Sequence, residues 1–221
     1  MGGSGGMGGM GGMGGSAGAS GNASDFPDPA SFVCNEMLGV SVTGDWFHAG
    51  FEDGLAGEKW QVKWQSQAFV EKWADPTHEV WSQAVESNCA NSSSNPDRVI
   101  FTAVNWTYTS ESPWETQLTA AIETIKLKYP AVKEIDVMTM LRAPNNQICG
   151  NPQTAGAQQQ VIASYTDQAI LAVAGKYPTL VRVAPKFYAP SCDVFQTDSP
   201  HFATGKAAVV AKLIHDYYVD H

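Results

Sequence analysis

One short signature closes two stretches of helical periodicity and opens two apolar runs. Leu118, Ile122 and Ile125 recur at spacings of four and three along one helix face, Lys128-Tyr129-Pro130 stops them, and Ile135 to Leu141 reads as a strand. Val161, Tyr165, Ala169 and Ala172 line a second helix ending near Gly175; Lys176-Tyr177-Pro178 stops it, and Leu180 to Val183 is the next strand. Both strands run into Ala-Pro, at Ala143-Pro144 and Ala184-Pro185. A helix set between two strands is the crossover that parallel pairing needs, and such crossovers are right-handed. The chain is thereby constrained to a parallel sheet with helices laid against it.

The remaining elements fit that constraint. Val40 to Thr43 is expected as the first strand, breaking at Gly44, and Trp60 to Trp64 as the second, with Gln65 to Trp73 helical after it. Ser87 to Asp97 is a loop by composition, and Arg98 to Val104 is a short apolar run of the kind covered on both faces. Ser112-Pro113-Trp114-Glu115 has the composition of a helix start, and a last helix from about Thr204 to Tyr218 offers Val210, Ile214 and Tyr217 to the sheet. The expected fold is a three-layer α/β/α sandwich of about five parallel strands in flavodoxin-like order. Ligands bind such sheets at the carboxyl ends of the strands, so the loops after Thr43, Val104, Leu141 and Val183 should share one rim.

Residues 1–25 are a Gly, Met and Ser repeat with no apolar face, expected to be a disordered tether, and residues 26–221 suit one α/β domain. The tether lacks the basic start and apolar centre of a signal peptide, and no apolar run is long enough to span a bilayer. The formal net charge is -9, with charged residues 16% of the chain and no Lys/Arg cluster, which argues against a nucleic-acid partner. None of the four cysteines forms a C-x-x-C pair and no His stands at zinc-finger spacing, so neither a metal nor a cofactor is expected. Their positions along the chain favour Cys34–Cys89 and Cys149–Cys192, with free buried thiols as the alternative. Disulfides imply an oxidising compartment, hence a secreted, periplasmic or cell-surface protein, with an export signal or membrane anchor upstream of the tether. A monomer is expected.

Asp198-Ser199-Pro200-His201 places a carboxylate and an imidazole three positions apart just before the last helix. That spacing lets a carboxylate orient a ring whose other nitrogen takes a proton from a nucleophile. Upstream, Val42-Thr43-Gly44-Asp45-Trp46-Phe47-His48-Ala49-Gly50-Phe51 resembles the first block of the SGNH/GDSL hydrolase family, an apolar strand followed by G-D-S-x-x-x-G. Gly44, Asp45, Gly50 and Phe51 match it, and Trp46 stands at the serine position. Pro96 to Asn105 resembles the third block, with Asn105 at its asparagine, Ala103 for glycine and Trp106 for aspartate. Asp198 to His201 resembles the fifth block, D-x-x-H.

The resemblance implies ester hydrolysis with His201 as base, Asp198 as its partner and Asn105 as an oxyanion donor. It leaves the nucleophile open. Ser41 is one candidate, because Gly39-Val40-Ser41-Val42-Thr43 echoes G-D-S-x-T, but the expected strand would contain it. Ser66, in the Gln65-Ser66-Gln67 loop that stands where the second block has its glycine, is another. Asp45 or His48 could instead activate water. Trp46, Trp106, Arg142 and His48 are candidate substrate contacts, since indoles at a rim stack on sugar faces and a guanidinium binds carboxylates. The substrate expected is a small-molecule or polysaccharide ester, with carbohydrate favoured. The alternative is an inactive module that holds a glycan without turning it over.

Overall fold

The computed structural model describes residues 26–51, 59–86, 89 and 95–220, so the tether expected over residues 1–25 lies outside the described residues. Five parallel strands form one sheet: β1 (Asn35–Gly39), β2 (Trp60–Trp64), β3 (Arg98–Thr102), β4 (Glu134–Met138) and β5 (Val181–Val183), in the order β2-β1-β3-β4-β5. In β1, Met37 stands beside Val62 on one side and Ile100 on the other. Along the chain run α1 (Ser41–Trp46), α2 (Val70–Ala74), α3 (Glu111–Lys128), α4 (Ala155–Gln158), α5 (Ser164–Lys176) and α6 (Ala207–Asp220). Helices α2, α3 and α5 pack side by side, while α6 packs on α1 and the wide turn Phe47–Phe51 that follows it. This is the expected α/β sandwich.

The first strand departs from expectation in a way that matters for function. Val40 to Thr43 is rich in β-branched residues and reads as extended, yet the strand is Asn35–Gly39 and residues 41–46 are helical. Asn35 to Leu38 are the residues that find partners on both β2 and β3, so sheet pairing overrides local propensity. Gly39 then makes a sharp turn sterically available. A Cβ there would stand 2.1 Å from the Thr43 hydroxyl oxygen and 3.1 Å from Thr102 Cβ, so only a glycine lets α1 fold back over the strand end. Similarly, the helix expected from Gln65 begins only at Val70, because Gln67 takes a left-handed φ of 57°.

Helix α3 buries Leu118, Ile122 and Ile125 along the expected face, and α5 buries Ala169, Ile170, Val173 and Ala174. In α6 the inward residues include Val210, Ile214 and Tyr218, whereas Tyr217 is half-buried. The charged side chains inside the sheet are paired. Arg98 Nη2 donates to Asp136 at 2.5 Å and Arg182 Nε to the same carboxylate at 2.6 Å, while both arginines reach Glu134 at 3.0 and 2.7 Å. On the other face, buried Glu36 accepts from Tyr129 and Gln61. Cys34–Cys89 and Cys149–Cys192 are both disulfide-bonded, as expected. The first ties the chain leading into β1; the second joins two loops at the opposite, carboxyl end of the sheet.

Candidate functional site

Ser41 is the first residue of α1, two positions past the end of β1, and so sits on the rim where α/β sheets hold their ligands. Its Oγ lies 3.4 Å from His201 Nε2. The other ring nitrogen of His201, Nδ1, lies 2.9 Å from Asp45 Oδ2. Asp45 follows Ser41 by four positions in the same helix, one turn on, and the two side chains therefore share a face. His201 and Asp45 are each about two-fifths exposed, at 39% and 41%. With Asp45 accepting from Nδ1–H, the ring presents a bare Nε2 to the serine hydroxyl. A carboxylate, an imidazole and a hydroxyl thus form a connected chain on a water-accessible edge.

The expected partner of His201 was Asp198, and the geometry differs. Asp198 Oδ1 accepts the Asn151 amide at 2.7 Å, and Asp198 itself adopts a left-handed φ of 58°. Its carboxylate ties the His201 loop to the segment after Gly150. A second tie is Gln160, fully buried, whose side chain accepts from the Cys149 amide at 3.0 Å and donates to the Ser199 carbonyl at 2.7 Å. Gly156 belongs to the same contact, since a Cβ there would stand 2.1 Å from the Asp198 carbonyl oxygen. The Ser199 hydroxyl accepts from the His201 amide, and the His201 carbonyl accepts from the Gln196 amide. The loop that carries the imidazole is held at both ends and across its middle.

Two adjoining cavities open on this rim. The smaller, about 190 Å³, is lined by Ser41, Ser66, Gln67, Phe69, Pro200 and His201 among others. The larger, about 250 Å³, is lined by Asn105, Trp114, Gln158, Tyr165 and Thr166 among others, and both share Trp106, Met140 and Gln159 as common wall. Ser66 therefore lines the same pocket as Ser41, but it is Ser41 that meets the imidazole. Asn105 is oriented from both ends: its Nδ2 donates to Glu71 at 2.8 Å and its Oδ1 accepts from the Thr107 and Tyr108 amides at 2.7 and 3.1 Å. That leaves one of its two amide hydrogens uncommitted.

Three expected contacts lie elsewhere. Trp46 is buried, 3% exposed, with its ring 5.1 Å from Phe51 in an edge contact, because it falls at the inward end of α1. It is core and does not stand where a nucleophile would. Arg142 is buried and paired with Asp167 through both terminal nitrogens, and it lines a separate cavity beside β5. Asp167, held by Arg142 and by Lys186, has its carboxyl below the usual range in spite of burial that pushes the other way. His48 hydrogen-bonds Glu86 at 2.6 Å on the exposed turn after α1 and lines neither rim cavity. Among the described residues, no cluster of His, Cys, Asp or Glu could hold a metal ion. Gln159, Gln160 and Glu71 carried no signal in the sequence; Gln160 and Glu71 reach this rim through partners far along the chain, and Gln159 through its place in the shared wall.

No family model matches the chain, and no curated protein matches its sequence. Among solved structures, the chain is similar to a serine-to-alanine mutant of an acetyl esterase crystallised with an acetate ion. The identity is 15% and the TM-score 0.50, over 84% of this chain and 96% of that one. At that identity the likeness is one of fold. A second solved chain aligns over 83% of this chain and 94% of its own at 13% identity and a TM-score of 0.49.

Proposed function

We propose that the chain is a serine ester hydrolase of SGNH/GDSL-like design, acting on an ester of a carbohydrate or similar polar polymer outside the reducing cytosol. The observation that carries this reading is the 3.4 Å approach of Ser41 Oγ to His201 Nε2, with Asp45 on the far ring nitrogen. The distance is long for a hydrogen bond to a ring nitrogen, as is common before substrate tightens a catalytic pair. The fold held in common with an acetyl esterase and the two disulfides are in keeping with it.

In this mechanism Ser41 attacks the ester carbonyl while His201 Nε2 takes its proton, and Asp45 stabilises the imidazolium that forms. The oxyanion is held by amides that have no acceptor among the described residues, those of Ser41 and Gln67, and by the uncommitted Asn105 hydrogen. Each such donor is worth roughly 3 kcal/mol at the transition state. His201 then returns the proton to the leaving alcohol, and water repeats the sequence on the acyl-serine. The alternative is an inactive module that holds a glycan at the same rim; the approach of Ser41 to the His201 ring favours the hydrolase over it.

The test is hydrolysis of 4-nitrophenyl acetate together with labelling by a serine-directed fluorophosphonate. Ser41→Ala should abolish both, lowering turnover by about 10³-fold or more, and mass spectrometry should find the label on Ser41. Label on Ser66, or full activity in His201→Ala, would overturn the assignment.

A further inference from the structure

We infer that the larger rim cavity is a subsite for an uncharged glycosyl unit, so that the substrate is an acylated neutral sugar and not an acylated uronate; this rests on the hydrolase reading above. The Ser41 pocket, about 190 Å³, leaves room for a small acyl group beside the reacting carbon. The leaving alcohol must then pass the shared wall of Trp106, Met140 and Gln159 into the compartment of about 250 Å³. Together the two reach the size of ordinary small-molecule sites, roughly 300–1,000 Å³.

The chemistry of that compartment selects its occupant. None of its described lining residues is a lysine, arginine or carboxylate. Glu71 is tied to the cavity through its hydrogen bond from Asn105, and Asp45 stands beside the His201 ring. A uronate carboxylate would find no cation and two anions, in a chain whose net charge is already -9. Trp106 is 37% exposed, and its indole is fixed by an edge contact with Phe69 at 5.0 Å, which makes it a rigid platform for the C–H face of a sugar ring. Gln159 lies at the junction, and its side-chain amide makes no hydrogen bond among the described residues, leaving donor and acceptor free for ring hydroxyls. Gln158 adds a further amide group. An alkyl chain would desolvate these amides without replacing their hydrogen bonds, so a lipid ester is disfavoured.

The experiment compares kcat/KM for acetylated cellobiose, acetylated digalacturonate and 4-nitrophenyl acetate, in the full chain and in Trp106→Ala and Gln159→Ala. The expected result is at least a tenfold preference for the neutral disaccharide over the uronate. In both variants the ratio of disaccharide to 4-nitrophenyl acetate turnover should also fall at least tenfold. An unchanged ratio, or equal turnover of the uronate, overturns the subsite while leaving the hydrolase reading intact. If the full chain hydrolyses none of the three, the hydrolase reading fails instead, and tryptophan-fluorescence titration with cellobiose decides the subsite. Binding that Trp106→Ala abolishes supports it, and no binding overturns it.

Discussion

Asp45 is the residue whose chemistry differs most between a reading by motif and a reading by position. Spaced three before His201, Asp198 looks like the orienting carboxylate; one helical turn after Ser41, Asp45 is the group that touches the ring. The two roles predict opposite outcomes. Asp45→Asn should lower kcat by about 10²- to 10⁴-fold with little change in KM, because an amide cannot hold the imidazolium or its tautomer. Asp198→Asn keeps an acceptor for the Asn151 amide, and asparagine tolerates the left-handed φ, so its kcat should stay within about twofold. Steady-state kinetics on an activated acetate ester distinguish them, and a larger loss in Asp198→Asn would return the role to the D-x-x-H aspartate.

At the scale of elements, the turn at Gly39 decides whether Ser41 lies within the strand or opens α1 facing His201. Gly39→Ala would force a Cβ against Thr43 and Thr102, destabilising the fold by about 1–3 kcal/mol and displacing α1. A lowered Tm with turnover falling further than Ser66→Ala causes would show this; an unchanged Tm would mean the turn has room. The turn also marks where sequence stopped being legible. The repeated helix–KYP–strand pattern revealed the parallel sheet, and β2 could be read to its ends, because periodicity and stop residues are local. Val40 to Thr43 looked like strand because β-branched residues favour extension, whereas the pairing that makes Asn35 to Gly39 the strand comes from β2 and β3, remote in sequence. His201 was singled out by the D-x-x-H spacing before the last helix, and Asn105 by the resemblance of Pro96 to Asn105 to the third SGNH/GDSL block. Gln160 and Glu71 were not, since each acts by reaching a loop with which it shares no local pattern.

Over the whole molecule, the amino half of the sheet holds a buried charge cluster that links stability to pH. Burial, reinforced by the Asp136 charge, pushes the Glu134 carboxyl up to about 7 from 4.5, with Arg98 and Arg182 opposing. Between about pH 4.5 and 7 the folded chain keeps a proton that the unfolded chain has released, so this group's contribution is full below 4.5 and declines as pH rises through 7. The decline is on the order of 3 kcal/mol at most. Glu134→Gln, neutral throughout, should flatten it, measured as the difference in urea midpoint between pH 5 and pH 8; an identical slope in both proteins would assign the pH dependence elsewhere. Each disulfide closes a long loop, with separations of 55 and 43 residues, and is worth about 4 kcal/mol by loop entropy. Their placement makes them unequal in consequence. Cys34–Cys89 braces the floor on which the sheet starts; Cys149–Cys192 clasps the loops that aim the imidazole. A half-reduced molecule is therefore two different species: one loosened underneath with the Ser41–His201 contact kept, the other upright with that imidazole adrift.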